Sequence, residues 1–462
     1  MTITATDPAT GKELSRHPQH TDGDVEAILS AAAKAQSAWR RRTVADRTPL
    51  LSATARVLRQ HRDEYAAMIT AEMGKPIREA LAEIDKCAVT CDYYADNAAV
   101  HLADRAVLSD ATDSSVVYDP LGVVLAIMPW NYPFWQFFRF AAPALAAGNA
   151  ALLKHANNVP GCALAVEDVL RRVGAPDGLC RTLLIGVDQV AGVIADPRVA
   201  AVTLTGSTQV GAVVAAQAAA HLKKQVLELG GSDPFIVLAD ADVARAAATA
   251  VKARFVNNGQ SCVNAKRFIV EETVADEFSR LFTEHTAALI VGDPSDPATD
   301  LGPLARPDLR ATLHDQVTRS LAGGAELLLG GELPDGQGCF YPPTVLDHVT
   351  PGTAAFDEET FGPLAAITRV PDTETAIALA NQTEYGLGAA LWTTDLDRAR
   401  ELARHLDAGA VFINGMVASD PRLPFGGIKK SGYGRELGAE GIREFVNTKT
   451  VWVGPKADTA CP

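Results

Sequence analysis

The sequence has little cysteine, few aromatics and no excess of positive charge, and each shortage narrows what the chain can be. Its seven cysteines, Cys87, Cys91, Cys162, Cys180, Cys262, Cys339 and Cys461, are odd in number and scattered over 462 residues, which is not a disulfide framework. No histidine cluster joins them at ligand spacing, so no metal site is expected. The 42 basic residues are outnumbered by 56 acidic ones, a formal net charge of −14. Such a chain has no general affinity for nucleic acid or anionic membranes. Apolar runs such as residues 121–129 are too short to span a bilayer. The opening MTITATDPATGKEL lacks the basic start and apolar stretch of a secretory signal. A soluble, cytoplasmic protein is expected.

What is present is ordinary globular material, 47% hydrophobic and 21% charged, in a chain long enough for two or three domains. Residues 1–100 read as helices. Apolar stripes run over 22–42, over 45–73 up to the stop at Gly74, and over 77–103, where Cys87 and Cys91 fall among packing positions. From residue 114 short apolar strands alternate with helices. Strands are expected at 116–118, 123–128, 150–154, 183–185, 201–204 and 226–229, the grammar of parallel βαβ units covered on both faces. A second set (235–238, 267–270, 327–329, 366–370, 388–392 and 411–414) marks another α/β domain from about Ser232. Residues 114–118 and 444–453 are exposed strand candidates that need a partner edge.

Four stretches could carry chemistry. In Asn257-Asn-Gly-Gln-Ser-Cys262 a helix ends in turn-forming residues and a thiol follows, where a substrate could reach it; a buried packing cysteine is the alternative. Glu228 lies within the apolar Val226-Leu-Glu-Leu229, before Gly230-Gly231. A desolvated carboxylate there would have a raised pKa and could act as a general base, although an edge-strand glutamate reads the same way. Asn131, in Pro129-Trp-Asn-Tyr-Pro133, offers an amide donor from a rigid turn, as an oxyanion site needs, or forms an Asx turn. Gly206 and Ser207 end a strand and open a helix, a place for a pyrophosphate or a plain N-cap, and no GxGxxG accompanies them.

Together these motifs resemble the aldehyde dehydrogenase superfamily, in its order and over essentially the whole chain. The matching pieces are PWNYP (129–133), Lys154, LTGS (204–207), LELGG (227–231), GQSC (259–262), EETFGP (358–363), FING (412–415) and PFGGIKKSGYGRE (424–436). Within it, LELGGSDPFIV, LLKHANN and PFGGIKKSGYGREL look most like bacterial succinate-semialdehyde dehydrogenases.

The resemblance implies an α/β fold with a Rossmann-type cofactor domain (1–101 and 121–231), a catalytic domain (232–435) and an oligomerisation extension (102–120 and 436–462). It implies a homodimer or homotetramer. Cys262 would be the nucleophile, Asn131 the oxyanion donor and Glu228 the base that releases the thioester. Trp130, Lys154, Asn157, Gly206, Ser207, Leu229, Glu359 and Phe361 would bind the cofactor, and Trp135, Arg139, Ser261 and Ser419 the substrate. Arg139 would clamp a distal carboxylate with its guanidinium fork.

Relatives that prefer NAD commonly carry Glu at position 157. Asn157 removes a charge that would repel a 2′-phosphate while Lys154 remains to attract it, so NADP is expected to be preferred over NAD. A second arginine found six residues before the nucleophile in some relatives is Val256 here, which leaves room for longer semialdehydes or a broader aldehyde range. Neither neighbour of Cys262 is a thiol, so a disulfide lock on the nucleophile is not expected. A CoA-acylating enzyme is disfavoured by Glu228, and a non-catalytic homologue by the presence of Cys262, Glu228 and Asn131 together.

Overall fold

Strands that are apolar at every position must be covered on both faces, and this condition organises the molecule. In the computed structural model, which describes residues 2–454, Val123–Met128, Ala150–His155 and Val199–Thr205 lie almost wholly buried at the centre of a six-stranded sheet. Its order is Gly432–Tyr433, Lys224–Glu228, Val199–Thr205, Val123–Met128, Ala150–His155 and Cys180–Thr182, parallel except for the first strand. Helices Trp135–Ala147, Pro160–Arg172 and Thr208–Ala220 connect these strands. The long helix Ile77–His101 packs on Trp135–Ala147.

A second sheet of seven strands runs Glu326–Leu329, Thr344–Asp347, Leu364–Val370, Ala265–Glu271, Asp233–Val237, Gly388–Trp392 and Ala410–Ile413. Only its first pair is antiparallel. The chain passes from one sheet to the other between Glu228, which ends Lys224–Glu228, and Asp233, which begins Asp233–Val237. That bridge is so short that the carboxyl ends of the first sheet's strands must lie near the amino ends of the second's. A third sheet pairs Val446–Val453 with Asp113–Pro120 in eight antiparallel registers, and Arg105–Ala106 adds to the other edge. The two exposed strand candidates are therefore each other's partner.

Several expectations need correction. The N-terminus is a hairpin of Thr2–Thr6 with Glu13–Pro18, not helix. Ile3 and Ala5 alternate with exposed threonines, a period-two signal only two buried residues long. The helix expected over 45–73 is two, Val44–Gln60 and Arg62–Met73, joined through His61 outside helical geometry. Leu183, Leu184 and Ile185 are buried but not a strand. The strand is Cys180–Thr182, because pairing with Ala151, Leu152 and Leu153 sets the register, not apolarity alone. Thr344–Asp347 was not anticipated, since its threonine and aspartate broke the apolar pattern. Gly432–Tyr433 lies inside the span expected for the catalytic domain yet pairs with Leu227 and Glu228 of the first sheet. Cys461 and the expected extension beyond 454 lie outside the described residues.

Candidate active site

The helix Val243–Phe255 ends just before a turn in which Asn257, Asn258 and Gly259 all have positive φ (57°, 57° and 72°). Consecutive left-handed residues persist only where their surroundings over-determine them. Here Asn257 N–H donates to Glu79 (2.6 Å), and the Asn257 amide donates to the carbonyls of Asn131 and Gln260 (both 2.9 Å). The Asn258 amide bonds Gly74 O and Pro303 O. A Cβ at Gly259 would meet Gly362 O at 2.3 Å, so only glycine fits. Three residues on stands Cys262, half-buried, just ahead of the strand Ala265–Glu271.

Burial pushes the Cys262 thiol up to about 12; Arg139 and Lys266 oppose the shift, and Glu228 adds to it. The Lys266 ammonium, fully buried, donates to Cys262 O (2.9 Å) and Ser261 O (3.2 Å) and lies 3.5 Å from Glu359. Lys266 was not anticipated. Its only sequence signal is a lysine inside a strand buried at every position.

Glu228 is 2% exposed at the end of its strand, and neither carboxylate oxygen accepts a hydrogen bond from the described residues. Burial drives its carboxyl well up; Arg139 pulls it back and Glu436 raises it further. The PFGG loop closes over it, since a Cβ on Gly426 would lie 2.8 Å from Glu228 Oε1. Asn131 donates one amide N–H to Gln260 O at 3.0 Å, within the loop that carries Cys262. A primary amide has a second N–H. Sulfur, carboxyl and amide are thus brought to one place.

Residues that could hold a dinucleotide occupy the carboxyl-end side. Ser207 caps Thr208–Ala220 and Gly206 N–H donates to Glu228 O (3.0 Å), so the turn that opens this helix is tied to Glu228. Leu229 packs its side chain on Gly211, where a Cβ would come within 2.4 Å. Trp130 and Phe361 meet edge to face at 5.8 Å. Glu359 is engaged with the bridge, accepting from Gly231 N–H at 3.0 Å. Lys154 is 8% exposed, and among the described residues its ammonium bonds only neutral groups, His155 O (2.9 Å) and Asn157 Oδ1 (3.1 Å). A buried cation without a counter-ion among the described residues, beside an exposed asparagine, fits a cofactor that brings its own 2′-phosphate.

A cavity of about 640 Å³ leads to Cys262 from the opposite side. Trp135, Arg139, Ser261 and Ser419, all expected at the substrate, line it, as does Val256. Arg139 is not free, however. It is 1% exposed and ion-paired with buried Glu436, reaches Thr205 Oγ1 at 3.4 Å, and lies over the Phe425 ring at 4.7 Å. Ser419 accepts from Lys86 at 2.7 Å. Lys86, Glu79 and Glu83 also line the cavity. Their spacing of four and three on one helix was the available signal, hidden because charges between apolar positions read as a solvated face.

The profile of the aldehyde dehydrogenase family matches residues 1–451. The chain belongs to the aldehyde dehydrogenase family. A Synechocystis sp. protein named "Probable succinate-semialdehyde dehydrogenase [NADP(+)]" is 52% identical over 453 residues, covering 98% of this chain and 100% of that one. An Escherichia coli succinate semialdehyde dehydrogenase [NAD(P)+] is 50% identical over 458 residues, covering 98% and 99%. Among solved structures, succinic semialdehyde dehydrogenase from Streptococcus pyogenes in complex with NADP+ superposes with a TM-score of 0.96 at 39% identity, covering 98% and 100% of the two chains.

Proposed function

We propose that this aldehyde dehydrogenase oxidises succinate semialdehyde to succinate, with NADP preferred over NAD. The observation that carries the reading is the meeting of Cys262, Asn131 and Glu228 where the chain crosses between sheets, at the end of a cavity with cationic residues in its wall. The Cys262 sulfur adds to the aldehyde carbon, and the second Asn131 N–H with the Cys262 N–H supports the oxyanion. A bound nicotinamide supplies the hydride acceptor that turns this adduct into a thioester. Glu228 takes a proton from the water that hydrolyses the thioester, and the acid leaves. Lys154 and Asn157 would hold the adenosine ribose phosphate, Gly206, Ser207 and Leu229 the pyrophosphate end, and Trp130, Glu359 and Phe361 the nicotinamide end.

The named relatives support the substrate and cofactor of this reading. Val256, uncharged in the cavity wall, favours a second one in which longer semialdehydes are also accepted. The exposed Val451, Trp452 and Val453 on the outer strand of the third sheet offer an edge for a second copy, so the enzyme works as a homo-oligomer. The described cysteines are all free thiols, as suits a reducing cytoplasm.

The test follows reduced-nicotinamide absorbance with NAD and NADP on succinate semialdehyde, a five-carbon semialdehyde and butanal. The expected result is kcat/KM about tenfold higher with NADP than with NAD, and higher for a semialdehyde than for butanal. No absorbance growth with any semialdehyde would sink the reading.

A further inference from the structure

The loops that carry Cys262 and Asn131 belong to different sheets, yet one helix, Ile77–His101, grips them both. Glu79 and Glu83 stand about one turn apart on it, so their side chains share a face. Glu79 Oε2 accepts from the N–H of Asn257 (2.6 Å), the first left-handed residue of the Cys262 loop. Glu83 Oε1 accepts from Phe134 N–H (2.9 Å) and Trp135 N–H (3.0 Å), just past the Asn131 turn. Residues ahead of the helix extend both grips. The Asn258 amide donates to Gly74 O (2.8 Å), and the Lys75 ammonium lies 3.7 Å from the centre of the Tyr132 ring.

The two loops are also tied to each other. The Asn257 amide donates to Asn131 O (2.9 Å) and the Asn131 amide to Gln260 O (3.0 Å). The bonds close a ring, from the helix through Glu79, Asn257, Asn131 and Phe134 to Glu83 and back. Neither loop can shift without breaking a bond within it. Local structure supplies neither grip. Asn257 and Asn258 hold backbone angles that persist only where their surroundings demand them. Phe134, which opens the helix Trp135–Ala147, has no side-chain cap of its own. A helix start leaves N–H groups without partners, and Glu83 takes two of them. Pairing with Lys75 does not account for this, since the ion pair uses Oε2 while Oε1 is spent on the turn.

Resting on the roles proposed above for Cys262 and Asn131, we propose that Glu79 and Glu83 are positioning residues that together set the sulfur's place relative to the oxyanion donor. Glu79 holds the Cys262 loop and Glu83 the Asn131 turn, with a rigid turn of helix fixing the span between them.

The test uses the full-length enzyme, with NADP quenching of tryptophan fluorescence as the check on folding, because Lys154, Gly206 and Ser207 lie on other loops. Glu83→Asp keeps a charge for Lys75 but draws the carboxylate back, and should lower kcat about 100-fold with KM for NADP little changed. Glu79→Ala should lower kcat by a similar factor. Glu79→Gln, whose amide oxygen can still accept from Asn257 N–H, should recover most of the loss. The losses should be alike for succinate semialdehyde and butanal, since neither glutamate reads the far end of the substrate. In an Asn131→Ala background Glu83→Asp should cost less than about threefold, because the donor that it places is gone. Glu79→Ala should also speed alkylation of Cys262 by iodoacetamide about fivefold at fixed pH, since a loosened loop gives up the burial that suppresses the thiolate. Parent-level turnover by Asn131→Ala would sink the oxyanion reading and Glu83's part with it, while faster alkylation in Glu79→Ala would leave Glu79's hold standing. An equal cost of Glu83→Asp with and without Asn131, or unchanged turnover and alkylation in Glu79→Ala, overturns the proposal.

Discussion

The two large sheets present their site residues from opposite ends. In the six-stranded sheet three site loops each follow a strand and lead into a helix. Trp130 and Asn131 lie between Val123–Met128 and Trp135–Ala147, Lys154 at the end of Ala150–His155 and Asn157 between that strand and Pro160–Arg172, and Gly206 and Ser207 between Val199–Thr205 and Thr208–Ala220. In the seven-stranded sheet the order is reversed. Cys262 follows the helix Val243–Phe255 and precedes Ala265–Glu271, and Glu359 follows Ala354–Asp357 and precedes Leu364–Val370. The first arrangement is the usual place for a ligand in an open α/β sheet, beside helix N-termini. The second has no helix start to offer an anion, and what it supplies instead is reactive and positioning groups. The bridge from Glu228 to Asp233 makes the two ends meet.

The sharpest way to break this division is Glu228→Gln, because Glu228 belongs to the six-stranded sheet by position and to the chemistry by its proposed role. Its hydrolytic turnover should fall about 10³-fold, while NADP affinity holds and a burst of reduced nicotinamide equal to the enzyme concentration appears before the stall. A loss of NADP affinity in step with turnover would mean that the bridge serves one sheet only. The glutamine keeps the shape and cannot take the proton.

Asn157→Glu should have a smaller effect, confined to the first sheet. A carboxylate beside Lys154 would give that ammonium a counter-ion, which none of the described residues supplies, and repel a 2′-phosphate. The kcat/KM ratio of NADP to NAD should drop about 30-fold, with kcat for succinate semialdehyde under saturating NAD unchanged. If the ratio does not move, Lys154 does not read the phosphate.

The same division explains what was legible in the sequence. Strand-then-helix loops announce themselves through an apolar run that ends in glycine, proline or a cap, so PWNYP, Lys154 and LTGS could be placed from local pattern and fell at strand ends as expected. Cys262 was visible because Asn257, Asn258 and Gly259 mark a turn. Glu359 had no such marker and came only from the family resemblance. Lys86 and Lys266 were missed for a common reason: what each ammonium meets, the Ser419 hydroxyl and the Glu359 carboxylate, is set by tertiary neighbours and not by local pattern. The N-terminal hairpin and Thr344–Asp347 were missed because short strands are selected by the partner edge more than by their own residues.

The smallest effect expected is on the resting thiol, and it follows from what the second sheet lacks. A cysteine at a helix N-terminus has its pKa lowered by the helix dipole and free N–H groups, but Cys262 enters a strand. Burial therefore dominates, and the charges of Arg139 and Lys266 only partly offset it, with the thiol held at about 12. Iodoacetamide reacts with the thiolate, so the alkylation rate of the cofactor-free enzyme should climb about tenfold per pH unit, and should still be climbing at pH 10. An unperturbed thiol would flatten near its ordinary value of 9.0. Flattening at or below that value would show that Arg139 and Lys266 outweigh burial, and the amino-end side of the site would then activate its nucleophile before any substrate or cofactor arrives.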